Sequence, residues 1–207
     1  MKERPILFNG DMVRSILAGQ KTQTRRPIKR PFEIHAEGYL ARPDGLGGRL
    51  RPYPCPFGKP GDRLWVKETH ARHPQFAEVA YRADGEAFED ADGFTWHPKW
   101  TPSIHMPRIL SRITLEITNI RVERVQDISE DDAWAEGVEE LDVTGVFSAV
   151  GLCDTARRYG MSMEDTRCIY AHLWDTLYAA RGLGWDVNPW VWVVTFKRVE
   201  EQPCPKN

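Results

Sequence analysis

The sequence predicts an α+β fold, a small mixed β-barrel with flanking helices, and three stretches carry this prediction. Residues 112–125 alternate between apolar and polar side chains as a half-buried strand does, and the alternation changes phase near Asn119. A one-residue change of phase indicates a bulge or bend, by which small barrels turn their corners. Residues 190–197 are almost continuously apolar, which is typical of a buried closing strand. Residues 162–182 carry apolar side chains at helical spacing and form the longest predicted helix.

The N-terminal part predicts a strand, a short helix and a turn. Ile6-Leu7-Phe8 indicates a short buried strand, and Asn9-Gly10-Asp11 supplies the residues that begin a helix. Apolar residues then recur four positions apart up to Leu17, and Gly19 stands where a helix of this length ends in a left-handed residue.

Two further segments complete the predicted elements. Residues 62–71 read as a barrel strand with residues 78–82 as its partner. Ser129, followed by Asp132, forms a capping box that begins a short helix, which ends near Glu136 and is closed by Gly137.

We expect the 207 residues to form one elaborated domain, 1–207. Segments rich in proline and glycine, or without periodicity, predict irregular insertions near 29–60, 83–107 and 139–160. No apolar run reaches the roughly 20 residues that span a bilayer, and the first residues lack the apolar segment of a secretory signal. We therefore expect a cytoplasmic protein that does not enter a membrane.

Cysteine and histidine spacing does not predict a cofactor or metal site. The four cysteines are spread along the chain without a C-x-x-C pair, so four free thiols are expected rather than a zinc site or a disulfide. His70 and His73 have a spacing that suits two ligands on a helix, but they end a predicted strand. The chain has no P-loop, H-E-x-x-H, nucleophile elbow or dinucleotide fingerprint.

The distribution of charge favours a local rather than a general interaction with polyanions. The net charge is −2, whereas general nucleic-acid binders are usually basic. Five cations nevertheless fall within ten residues: Lys21, Arg25, Arg26, Lys29 and Arg30. Taken alone, this run is typical of a solvated surface segment.

The basic run contains a motif, Gly19-x-Lys21-x-x-Thr24-x-Arg26, that resembles the G-x-K-x-x-T-x-R signature of ASCH domains, small relatives of the PUA RNA-binding fold. Residues 5–8, 61–66 and 111–137 also resemble that family, so that the similarity covers about half of the chain. The chain as a whole is most similar to the longer ASCH proteins of phages and prophages.

The resemblance implies binding of RNA or a modified nucleoside, with N(4)-acetylcytidine amidohydrolysis as the most specific activity. In ASCH amidohydrolases a lysine, a threonine and a glutamate act together, and the matching residues here are Lys21, Thr24 and Glu136. The remaining candidate binding residues are Arg25, Arg26, Trp65 and Glu68.

This assignment implies coherent chemistry. A threonine hydroxyl needs a base, and a lysine serves as one when burial or a neighbouring cation lowers its pKa. Glu136, near the end of its helix, is placed to donate a proton to the departing amine. Lys21 and Thr24 converge only if Lys21 lies in the turn after the helix and a strand begins near Thr22. In that case the side chain of Arg26 lies on the same face of the strand as that of Thr24, whereas the side chain of Arg25 points away from this face.

Two other functions remain open. A metal-dependent ribonuclease would draw its ligands from Glu68, His70 and Glu136. A non-enzymatic RNA-binding adaptor would use the basic run for phosphates and aromatic residues such as Trp65 for stacking. In that second case Lys21 and Glu136 form only a salt bridge, and Thr24 pairs with backbone.

Overall fold

A computed structural model describes residues 1–29, 33–34, 40–43, 50–73, 78–89, 93, 95–138 and 149–199. In chain order the described elements are β1 (Glu3–Leu7), α1 (Gly10–Leu17), β2 (Gln23–Pro27), β3 (Glu33–Ile34), β4 (Leu40–Pro43), β5 (Leu50–Pro52), β6 (Arg63–Lys67), β7 (His70–Arg72), β8 (Val79–Tyr81), β9 (Phe88–Glu89), β10 (Thr95–Trp96), β11 (Thr114–Arg124), α2 (Glu130–Ala135), α3 (Ala149–Tyr159), α4 (Thr166–Tyr178) and β12 (Trp190–Val199).

A five-stranded mixed sheet, in the order β1-β6-β11-β12-β2, forms the centre of the molecule. β1 and β6 are parallel and the other neighbours are antiparallel. The register of β11 against β12 shifts between Ile117 and Asn119, which confirms the predicted bulge. The fold is therefore α+β.

The sheet is not closed into a barrel. β1 and β2 are its two edges, and no pairing joins them within the described residues, so the predicted barrel closure is not confirmed. β12, predicted as a closing strand, pairs with both β11 and β2 and is an interior strand of an open sheet.

The predicted strand at residues 62–71 is two strands. β6 belongs to the central sheet, whereas β7 pairs with β8 in a separate hairpin and forms an isolated bridge from His70 to Thr101. The strand is interrupted at Glu68 and Thr69. There the side chain of Arg112, which is far away in sequence, donates hydrogen bonds to the Glu68 carboxylate. A sequence pattern shows the alternation of both strands but not this long-range contact.

All three predicted insertions contain regular structure where irregular chain was expected. β3, β4 and β5 form a three-stranded antiparallel sheet between residues 33 and 52, and β9 pairs with β10. α3 lies in the third insertion, although residues 139–148 fall outside the described part of the chain.

The apolar core lies between the central sheet and the helices. Each helix and the sheet contribute buried side chains, among them Val13, Ile16, Ala133, Leu152, Leu173, Trp174, Leu115, Ile117, Val193 and Val194. α4 begins at the Asp165 cap, and its apolar stripe faces this core as predicted. No helix in the described ranges is long and apolar enough to cross a bilayer.

Candidate functional site

The turn after α1 fixes Lys21. The Asn9 side chain accepts a hydrogen bond from the Met12 N–H at 2.9 Å and begins the helix. Gly19 adopts a φ of +78°, a left-handed conformation that glycine enters without steric cost. The backbone N–H groups of Gln20 and Lys21 both donate to the Ser15 carbonyl, at 2.9 and 3.0 Å. Lys21 therefore lies in the turn, as predicted, and its side chain points into the protein.

Glu136 is held at the end of α2 by the predicted caps. The Ser129 hydroxyl accepts from the Asp132 N–H at 3.1 Å and begins the helix. Gly137 ends it with a φ of +80°. A Cβ at Gly137 would lie 2.8 Å from the Ser15 Cβ and 3.1 Å from the Lys21 Cβ. Glycine is required here both for the backbone conformation and for the close approach of α2 to the turn that carries Lys21.

Lys21 and Glu136, 115 positions apart, meet in a buried pair. The Lys21 Nζ lies 2.7 Å from Glu136 Oε2 and donates to the Glu136 carbonyl at 2.8 Å. The side chains are 0% and 3% exposed. Burial lowers the pKa of Lys21; the Glu136 carboxylate opposes this effect, and the charges of Arg26 and Arg25 add to it. The lysine is thus easier to deprotonate than a lysine in solvent.

Arg25 belongs to the same cluster, so the prediction that it points away is wrong. Its Nη1 lies 3.5 Å from Glu136 Oε1, and its Nη2 lies 2.7 Å from Asp132 Oδ2 and 3.1 Å from Glu123 Oε2. Both Thr24 and Arg25 are buried. Both faces of β2 are covered, and alternation along a strand therefore does not separate a buried from a solvated residue here.

The ion pairs continue outward through Arg121. Its Nη2 lies 2.6 Å from Asp132 Oδ2, and its Nε pairs with Glu123. Burial acts to raise the pKa of Asp132, but the hydrogen bond and charge of Arg25, with the charge of Arg121, outweigh it and hold the pKa below its usual value. The network contains three cations and three carboxylates: Lys21, Arg25, Arg121, Glu123, Asp132 and Glu136.

Thr24 lines a small cavity beside this network. Its neighbours there include Arg25, Arg26 and Glu136 on one side and Tyr170 and Trp174 of α4 on the other. Among the described residues no hydrogen bond to the Thr24 hydroxyl is found, so the expected pairing with backbone is absent. The cavity, which we call the threonine cavity, has a volume of about 10 Å³, the space of roughly one water molecule.

A larger surface cleft adjoins the threonine cavity. This α1 cleft has a volume of about 290 Å³ and lies between the end of β1, α1 and the end of α4. The side chains that line it include Leu7, Phe8, Met12, Leu177, Tyr178 and Arg181. Four of its residues also line the threonine cavity: Met12, Arg26, Leu177 and Tyr178. These four form the wall between the cleft and Thr24.

Arg26 connects the two spaces, and it shares the threonine cavity with Thr24 as the strand geometry predicted. Its Nη2 donates to the Leu7 carbonyl at 2.6 Å, and its Cζ lies 5.2 Å from the centre of the Phe8 ring. Its Nε is buried without a hydrogen-bond partner among the described residues.

Trp65 and Glu68, the other two candidate binding residues, lie apart from the α1 cleft and do not line it. The Lys67 ammonium lies over the Trp65 ring, 5.5 Å from the ring centre. Both Glu68 oxygens accept from Arg112 at 2.9 Å, so this carboxylate is already bound. Within the described ranges, no group of three or more His, Cys, Asp or Glu side chains is arranged to hold a metal ion.

Sequence reasoning missed Asp132 as part of the site, although a signal was present. Asp132 stands four residues before Glu136, and residues four apart lie on one helix face. The face of α2 that presents Glu136 therefore also presents a second carboxylate to Arg25.

No protein-family model matches this chain, and no curated protein sequence matches it. Among solved structures the chain is similar to a crystal structure of an ASCH domain from Lactobacillus crispatus, with 15% sequence identity and a TM-score of 0.35. The match covers 95% of this chain and 79% of that one. At this identity and TM-score, the chemistry of the site rests on the contacts within this chain.

Proposed function

We propose that this protein binds RNA or a modified nucleoside in the α1 cleft and hydrolyses the amide of N(4)-acylcytidine with Lys21, Thr24 and Glu136. One observation carries the proposal. Thr24 and Glu136 line the same one-water cavity directly behind the cleft, and Lys21 contacts Glu136 at 2.7 Å. Glu136 thus links Thr24, with which it shares the cavity, to Lys21, which contacts Glu136 but does not itself line the cavity, and this link supports the proposed roles.

The α1 cleft has the size and lining that suit a nucleoside. Its volume of about 290 Å³ lies just below the range for small-molecule sites, roughly 300–1,000 Å³. Leu7 offers exposed apolar surface for a base, and Asn9, Thr69 and Ser103 offer polar groups. Arg26 adds a cation to the lining.

The buried pair supplies a base and an acid together. The proposed reaction uses the minor form of this ion pair, in which the proton of the Lys21 ammonium has passed to Glu136. Burial lowers the pKa of Lys21 and makes the neutral amine more accessible than in a solvated lysine, although the Glu136 carboxylate opposes this effect. The chemistry needs the neutral amine, since an ammonium cannot accept the threonine proton.

The proposed reaction then proceeds in two balanced steps. The Thr24 oxygen attacks the acyl carbon as its proton passes to Lys21, and the C–N bond breaks as Glu136 protonates the exocyclic amine of cytidine. This step leaves an acyl ester on Thr24. Water then hydrolyses the ester, giving the free acid and restoring the hydroxyl.

Access to Thr24 requires movement of the wall. The threonine cavity holds about one water molecule, and an acyl group reaches the hydroxyl only when Tyr178 or Leu177 shifts. The closed wall also favours a second candidate function, binding of RNA or a nucleoside without hydrolysis.

Product analysis separates these functions. The protein is incubated with N(4)-acetylcytidine and, in parallel, with a short single-stranded RNA, each with and without EDTA. Release of cytidine and acetate that is unaffected by EDTA supports the amidohydrolase. RNA cleavage that EDTA abolishes would instead indicate a metal-dependent ribonuclease. Saturable binding of nucleoside or RNA without formation of either product would support the proposed binding and would refute the proposed hydrolysis.

A further inference from the structure

A second cleft, rich in positive charge, lies next to the α1 cleft. It has a volume of about 430 Å³, and its lining includes Lys29, Arg124, Arg181 and Trp190. No acidic residue lines it. Arg181 lines both spaces, so this basic cleft begins where the α1 cleft ends.

The cations of the basic cleft are not neutralised by carboxylates in the described part of the chain. Lys29 and Arg181 are exposed and take part in none of the ion pairs there. Arg124 donates to the Asn188 carbonyl at 2.9 Å and lies over the Trp190 ring at 4.3 Å. Asp127 accepts from the Arg124 backbone N–H at 3.3 Å and does not line the cleft. The positive charge therefore faces solvent, although the chain as a whole has a net charge of −2.

Another cleft beside the α1 cleft differs in charge. It has a volume of about 380 Å³ and adjoins the α1 cleft through Asn9 and Thr69. Its two arginines are each paired with an acid, Arg14 with Asp11 and Arg82 with Glu86. We call it the neutral cleft. An anionic ligand that enters the α1 cleft is therefore drawn toward the basic cleft and not toward the neutral one.

We infer that the basic cleft binds the phosphate that follows the nucleoside held in the α1 cleft, so that the ligand of the whole site is a single-stranded polynucleotide. This inference rests on the proposed function. Arginine and lysine are the side chains that bind phosphate oxygens, and Trp190 beside Arg124 offers a face for the next base. The strand is single because a base in a duplex is stacked and cannot enter the α1 cleft.

Binding measurements on one series of ligands test this inference. Affinities of the full chain are measured for N(4)-acetylcytidine, for a fluorescently labelled cytidine pentanucleotide and for inorganic phosphate. The variants are Lys29→Ala, which lies in the basic cleft alone, and Arg82→Ala, its control in the neutral cleft. Both side chains are exposed, and both variants are expected to fold.

The wild type should bind the pentanucleotide at least about tenfold more tightly than the nucleoside at low salt. Lys29→Ala should weaken pentanucleotide binding about fivefold to tenfold, reduce its salt dependence and leave nucleoside affinity unchanged. Arg82→Ala should change neither affinity.

Three outcomes would overturn the inference. Equal affinity for nucleoside and pentanucleotide would do so while leaving the proposed function intact. Equal losses of pentanucleotide affinity in Lys29→Ala and Arg82→Ala would show that the overall charge of the protein, and not a phosphate site in the basic cleft, determines binding. Inorganic phosphate that binds as tightly as the pentanucleotide and is weakened equally by Lys29→Ala would show a small-anion site. Absence of nucleoside binding with retained pentanucleotide binding would instead refute the proposed use of the α1 cleft.

Discussion

Replacing Glu136 with Gln removes the carboxylate on which the buried network depends. In the wild type the Glu136 carboxylate lies 2.7 Å from the Lys21 ammonium and 3.5 Å from the Arg25 guanidinium. Glutamine keeps the size of the side chain, but it leaves both cations without this shared anionic partner. Because both cations are 0% exposed, water cannot take the place of the carboxylate. The substitution should therefore cost far more than the loss of a surface ion pair.

The magnitude follows from the burial of the pair. Breaking a buried pair by removing one partner costs about 3–5 kcal/mol. For a chain of this length each kcal/mol lowers the melting temperature by about 2–4 °C, so a fall of roughly 6–20 °C is expected. Urea denaturation and calorimetry measure the two quantities.

A matched control is available on the surface. Glu116 lies 3.3 Å from the Lys197 ammonium, and these side chains are 34% and 63% exposed. Glu116→Gln should cost at most about 1 kcal/mol. Adding Lys21→Met to Glu136→Gln should cost less than the sum of the single changes, by about 0.5–3 kcal/mol, because the residues contact each other. If Glu136→Gln is no more harmful than Glu116→Gln, the buried network does not stabilise the fold and the reasoning is wrong.

Three further predictions concern charge in the network. Lys21→Arg keeps the charge but supplies no base near neutral pH, so acetate release should be abolished. Retained turnover would show that Lys21 contributes only its positive charge and is not the base. Arg25→Ala should lower the melting temperature more than Arg26→Ala, whereas Arg26→Ala should weaken nucleoside binding more; equal effects would contradict the separation of roles. The folded-state pKa of Asp132 is lowered from 3.8, so its contribution to stability is complete above about pH 4 and is lost as the pH falls through the lowered value. Asp132→Asn should flatten that acid limb in urea titrations, and an unchanged limb would show that other groups carry it.

Much of the fold could be predicted because the signals are local. The caps at Ser129 and Asn9, the bulge near Asn119 and the turn that carries Lys21 each depend on a few neighbouring residues. The meeting of Lys21 with the residue at the end of α2 came from the family resemblance rather than from any local pattern.

The remainder depends on long-range contacts that periodicity does not contain. The direction of Arg25 is set by carboxylates about a hundred positions away, on α2 and β11. At the interruption between β6 and β7, the Glu68 carboxylate accepts from Arg112, 44 positions away. Whether the sheet is open or closed likewise depends on which strand edges pair. The sequence of a single strand does not contain this information.

The most direct test of the account is the single-turnover rate of N(4)-acetylcytidine hydrolysis by two variants of Thr24. Thr24→Ser keeps a hydroxyl, and Thr24→Val keeps the branched shape in β2 without one. Thr22→Val, at an exposed position two residues earlier, is the control. We predict that the serine variant and the control retain turnover within about tenfold, while the valine variant loses roughly a thousandfold or more at unchanged nucleoside affinity. Wild-type turnover in Thr24→Val would contradict the assignment of Thr24 as the nucleophile.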